Sequence, residues 1–88
     1  MNRYTVIQPK WVENQIAELW LNAVDKSAVT AASDQLDQEL RLDAENKGEQ
    51  VDYNLNLRKL VVGPLWVYFT VHPDDCFVKV WSILPARS

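Results

Sequence analysis

The chain has 88 residues, 48% of them hydrophobic, with four tryptophans and a net charge of −3. That length fits a single domain, residues 1–88, with a modest core, since a chain of this size buries only about 60–65% of its unfolded surface. One cysteine, Cys76, excludes an internal disulfide and a cysteine-based metal site, and the acidic total excludes nucleic-acid binding driven by charge alone. Residues 1–10 hold no apolar run of signal-peptide length, and no stretch reaches membrane-spanning length, so a soluble cytoplasmic protein with no membrane contact is expected.

In chain order, Tyr4–Gln8 alternates as a short strand does. Pro9 suits the entry to a helix, because its missing N–H has no partner in a first turn anyway. Val12, Ile16, Leu19, Trp20, Ala23 and Val24 then recur at offsets of an amphipathic helix. Asp25 and Ser27 interrupt that stripe, with Ser27 expected to cap a second helix. The second helix sets Val29, Ala32, Leu36 and Leu40 on one side and should fade around Asn46–Gly48, where glycine can adopt the left-handed terminal conformation. From Asn56 the period falls to two. Leu57–Val62, Leu65–His72 and Cys76–Leu84 read as strands, separated by the turn signals Gly63-Pro64 and Pro73-Asp74-Asp75, which force antiparallel neighbours.

The order β-α-α-β-β-β predicts an α+β fold: a mostly antiparallel four-stranded sheet with an α-helical hairpin packed on one face. Its expected core is Val12, Ile16, Leu19, Trp20, Leu36, Leu40, Val67, Phe69 and Val80. On the middle strand Leu65, Val67, Phe69 and Val71 should face the helices. Trp66, Tyr68, Thr70 and His72 should face away. In the last strand Val78, Val80 and Leu84 are expected inward, and Phe77, Lys79, Trp81 and Ile83 outward.

Charge is unevenly spread. Residues 13–52 carry ten acids against Lys26, Arg41 and Lys47, while both flanks are mildly basic. Spread around a helix, Asp37, Glu39, Asp43 and Glu45 solvate it rather than hold a metal. His72, before Pro73, reads as a solvated turn histidine. Cys76, beside Asp74 and Asp75, lacks the electropositive setting of a reactive thiolate and reads as a small strand residue. Neither a phosphate loop nor a nucleotide fingerprint occurs, and no cofactor or metal is expected.

The run Leu57-Arg58-Lys59-Leu60-Val61-Val62-Gly63-Pro64-Leu65-Trp66, the acidic turn Pro73-Asp74-Asp75 and the tail Pro85-Ala86-Arg87 resemble the RelE/ParE toxins of type II toxin–antitoxin (plasmid stabilisation) systems. The opening strand and helix pair fit the same pattern, so the resemblance spans nearly the whole chain. It implies a growth-inhibiting toxin with a cognate antitoxin as partner. RelE-type members cleave mRNA on the ribosome, and ParE-type members inhibit DNA gyrase.

Metal-free RNA cleavage requires a base, a proton donor and cations for the developing phosphorane charge. By the resemblance, Lys59, Arg58 and Arg87 are the residues that would supply it. Trp66 stands where the RelE pattern has an arginine, and no His or Tyr follows Arg87. The expectation is therefore a ParE-like protein-binding inhibitor, with a RelE-like endoribonuclease and a non-toxic oligomerising relic as alternatives. Trp66, Tyr68, Lys79 and Trp81, together on the sheet face without helices, form the expected partner-binding patch for an antitoxin, splayed RNA bases or a second copy.

Overall fold

The computed structural model describes residues 3–86, so Arg87 lies outside the described residues. Strand β1 (Thr5–Ile7) leads into helix α1 (Lys10–Asn22), and helix α2 (Lys26–Asp43) follows after three residues. A 3-10 turn, Ala44–Asn46, precedes strands β2 (Glu49–Asp52), β3 (Leu57–Val62), β4 (Leu65–His72) and β5 (Phe77–Pro85). The sheet order is β1-β5-β4-β3-β2, with β1 parallel to β5 and the other pairs antiparallel. The α+β class and the one-sided helical hairpin are as expected. The sheet has five strands rather than four.

The additional strand is β2, whose sequence Glu-Gln-Val-Asp carries little β propensity and gave no signal. Its pairing comes from the turn before it. Gly48 has φ +72°, and a Cβ there would fall 2.2 Å from the Lys59 carbonyl oxygen of β3. Only glycine combines that backbone conformation with so close an approach, which brings Glu49 opposite Lys59 and Gln50 opposite Arg58.

Helix α1 begins after Pro9 without a side-chain cap, and the cap of α2 is a correction. Asp25, not Ser27, caps α2: its extended backbone lets Oδ1 accept the Ala28 N–H at 3.2 Å. Ser27 already lies within the first turn. Helix α1 ends at Asn22, so Val24 falls beyond it and is fully exposed.

One apolar cluster joins the layers. Val12 comes from α1, Val29, Ala32, Leu36 and Leu40 from α2, Val62 from β3, Leu65, Val67, Phe69 and Val71 from β4, and Val78, Val80 and Ile83 from β5. Fully burying each Val, Leu, Ile or Phe contributes about 1.5–3 kcal/mol. Six of the expected core residues are buried outright, while Ile16 and Leu19 are partly buried against the cluster. Trp20 is a correction. It remains 40% exposed, because its ring lies at the outer junction of the two helices rather than beneath them.

A bulge decides the end of β5. Phe69 pairs with Val80, but Tyr68 pairs with Ser82, leaving Trp81 as the extra residue. The phase of the strand flips there. Ile83, expected outside, is 1% exposed, and Leu84, expected inside, is 44% exposed.

Candidate functional site

The sheet face away from the helices carries the residues singled out above. The β3–β4 register sets Lys59 beside Tyr68 and Val61 beside Trp66, and the β4–β5 register sets Thr70 beside Lys79 and His72 beside Phe77. Paired residues share a face, so Trp66, Tyr68 and Lys79 come together with Lys59 beside them, and the bulged Trp81 joins through its bond to Thr70. Arg58 does not join them. Neighbours on a strand point to opposite faces, so Arg58 and Lys59 cannot serve one site. The Arg58 guanidinium instead ties the β2 turn down, with Nε donating to the Lys47 carbonyl at 2.7 Å, Nη1 to Gln50 Oε1 at 2.8 Å and Nη2 to the Gly48 carbonyl at 3.2 Å.

Two cation–aromatic groups organise the face. At one side, Lys59 Nζ sits 5.1 Å from the Trp66 ring centroid and 3.5 Å from Glu49 Oε2, while Trp66 and Tyr68 stack at 6.2 Å. The Trp66 indole N–H is buried and finds no hydrogen-bond acceptor among the described residues. At the other side, Lys79 Nζ lies 4.2 Å from the Trp81 ring and 5.7 Å from that of Trp11. An ammonium over an aromatic face gains about 0.5–1 kcal/mol per exposed contact, so each lysine is held in place rather than left free.

The bulge explains how Trp81 is positioned. Its Nε1 donates to Thr70 Oγ1 at 2.9 Å, while its carbonyl accepts from Trp11 Nε1 at 3.0 Å. Two residues further on, the Ile83 N–H donates to Gln15 Oε1 at 2.9 Å. Strand β1 covers β5 only along Phe77–Lys79, so α1 side chains finish the edge. The spacings match: four helical residues advance about 6 Å, and two strand residues about 6.6 Å.

Thr70 Oγ1 also lies 2.9 Å from His72 Nε2, and the imidazole stacks on Phe77 at 4.2 Å. His72 is therefore a half-buried member of the face, not a solvated turn residue. Beside it, Leu55, Leu57, Tyr68, Thr70, His72 and Trp81 line a cavity of about 500 Å³. Cys76 departs from its expected place too. It is exposed in the turn before β5 with φ +54°, and its Sγ lies 3.6 Å from the Pro73 carbonyl.

Sequence periodicity placed Thr70 on this face but missed Trp11, Leu55 and Leu57 as parts of the site. Trp11 left a trace, being a large aromatic one position off the buried stripe of α1. Leu55 left none, because its role depends on how the β2–β3 loop folds over the sheet. Among the described residues there is no cluster of three or more potential metal ligands, and no helix is long and apolar enough to cross a membrane.

This arrangement matches a RelE-like fold. A chain of the crystal structure of the toxin–antitoxin complex RelBE2 from Mycobacterium tuberculosis superposes with a TM-score of 0.79 at 11% identity, covering 100% of this chain and 97% of that one. No family model and no curated protein sequence matches the chain. The likeness therefore resides in three-dimensional arrangement, not in residues.

Proposed function

We propose that this protein is the toxin of a type II toxin–antitoxin pair and acts by docking onto another protein, in the manner of ParE. The observation that carries this reading is the open sheet face: a cavity of about 500 Å³ with mainly apolar walls, flanked by tryptophans that are 41% exposed at Trp81 and 48% at Trp11. Aromatic rings beside an apolar recess are what protein interfaces use as energetic anchors. The fold likeness to a chain of a toxin–antitoxin complex supports a cognate antitoxin as natural partner, and DNA gyrase is the target the ParE resemblance implies.

The cations favour docking over RNA cleavage. Lys59 is shared between Glu49 and the Trp66 ring, Lys79 is held by two indoles, and Arg58 is committed to carbonyls across the sheet. A phosphorane-stabilising site needs such groups aimed together at one point. Induced expression with parallel readouts of DNA damage and mRNA integrity tests the proposal. Growth arrest with DNA damage and intact mRNA is expected. Ribosome-dependent mRNA cleavage that disappears in Lys59→Ala would refute it, and absence of any growth effect would leave the fold without toxicity.

A further inference from the structure

Two lysines flank the cavity of the open sheet face, and their charges are in different states. Lys59, beside Tyr68 in the register, is paired with Glu49 at 3.5 Å. Lys79, beside Thr70, takes part in no ion pair among the described residues, whose salt bridges are Arg41–Asp37 and Lys59–Glu49. Rings hold it instead, with Nζ 4.2 Å from the Trp81 centroid and 5.7 Å from that of Trp11. An indole face fixes an ammonium without neutralising it, so the charge of Lys79 is set in place and still open to an anion. The opposite wall is fixed as well. Asp52 Oδ1 accepts the N–H groups of Asn54 and Leu55 at 2.9 and 3.3 Å, and Asn56 Nδ2 donates to the Val71 carbonyl at 2.7 Å, which holds the loop bearing Leu55 against the sheet.

The polar atoms inside the cavity are already used. Thr70 Oγ1 accepts from Trp81 Nε1 and lies 2.9 Å from His72 Nε2, and the remaining walls are Leu55, Leu57 and the rings of Tyr68 and Trp81. A nucleobase seated there would bury polar edges without partners, which opposes binding, whereas an apolar side chain leaves nothing unpaired. We infer that the cavity takes one large apolar side chain, a phenylalanine or leucine, from an extended segment of a partner protein, and that a carboxylate two residues along that segment pairs with Lys79. Thr70 and Lys79 are cross-strand partners, with Cβ atoms about 5 Å apart. Alternate side chains of an extended segment share a face about 6.6 Å apart, so one short stretch reaches both points. The pinned loop and the ring-held lysine lose little freedom on binding, which favours a segment that meets both. The inference rests on the docking reading proposed above and names the chemistry of the partner.

The test uses the full chain and a labelled peptide of about ten residues, too short to form a stable helix, with one phenylalanine and a glutamate two residues on in a serine–glycine background. Matched peptides carry glutamine for the glutamate or serine for the phenylalanine. Fluorescence anisotropy should show saturable binding of the acidic peptide, at least roughly tenfold weaker binding of the glutamine peptide and none of the serine peptide. In Lys79→Met the acidic and glutamine peptides should bind alike, while Lys59→Met should keep the preference. Leu55→Asp, which sets a charge on the cavity wall at a position 64% exposed, should abolish binding, and thermal melts check that each variant remains folded. The inference fails if no peptide saturates, if acid and amide bind alike to the parent chain, or if Lys79→Met keeps the preference. Displacement of the peptide by a single-stranded RNA of similar length would assign the face to nucleic acid and overturn it. So would self-association in sedimentation that Leu55→Asp removes, because the occupant would then be a second copy. Failure here, alongside DNA damage with intact mRNA on induced expression, would sink the anchor and carboxylate but not docking itself, whereas ribosome-dependent mRNA cleavage would overturn both.

Discussion

The two outer surfaces of this small domain are built on opposite principles. The open sheet face holds its cations against aromatic rings, and its polar groups form a connected set: Trp11 to the Trp81 carbonyl, Trp81 to Thr70, and Thr70 beside His72. The helical face has an apolar groove lined by Glu13 and Asp34, which form no ion pair among the described residues. The sheet face is tied together in advance, whereas the helical groove leaves the apolar surface of Trp20 and Leu21 open to solvent. Preorganised aromatic surfaces lose little entropy on binding, so the sheet face suits a tight partner. Charge-rimmed grooves mainly set partner choice and association rate.

The largest expected effect removes what the two surfaces share. Phe69 is fully buried in the central strand, and Phe69→Ala should cost about 3–5 kcal/mol, read as a drop in the denaturation midpoint. Such a loss would loosen both faces at once. Loss of one surface with the other intact would show that the layers fold independently.

On the sheet face, Trp81→Ala should weaken partner binding by about 2 kcal/mol, or roughly 30-fold, without unfolding the domain. Calorimetric titration and a thermal melt separate the two outcomes. Unchanged affinity would show the ring to be idle surface. Gly48→Ala should destabilise by about 1–3 kcal/mol in chemical denaturation, because the residue has positive φ and its added Cβ would collide with the Lys59 carbonyl. A neutral result would mean that β2 is not held against β3 as described.

A finer contrast sets two tryptophans of one face against each other. Among the described residues Trp66 buries an indole N–H without an acceptor, whereas that of Trp81 is bonded to Thr70. Trp66→Phe relieves an unpaired donor and should stay within about 1 kcal/mol of the parent, while Trp81→Phe should cost about 1 kcal/mol more than that. Reversed order would show that area, not hydrogen bonding, governs both. The smallest effect belongs to the helical face. The exposed Arg41–Asp37 pair, four residues apart on α2, should contribute only about 0.3–0.5 kcal/mol and vanish in high salt.

Much of this molecule was legible before folding. Period-two alternation from Leu57 onward assigned the two faces of β4 correctly, because a strand half covered by helices must alternate. The stripe of α2 named Val29, Ala32, Leu36 and Leu40, all buried. The same periodicity grouped Trp66, Tyr68 and Lys79 on the open side. It failed where position in the assembly outweighed pattern, as with Trp20, which lies on the stripe of α1 but at the seam between the helices.

What the sequence determined by itself was the α+β class, the helical hairpin and the aromatic character of the open face, since local periodicity and turn chemistry act within a few residues. Tertiary structure alone decided the rest. The bulge at Trp81 moved Ile83 inward and Leu84 outward, because one extra residue reverses the phase of everything after it. Strand β2 exists because Gly48 lets the chain approach β3, a contact eleven residues distant that no window over Glu49–Asp52 contains. The meeting of Trp11 with Trp81, seventy residues apart, follows from a helix covering the edge that a three-residue β1 leaves open. Burial and register are properties of the assembled layers, and only their assembly fixes them.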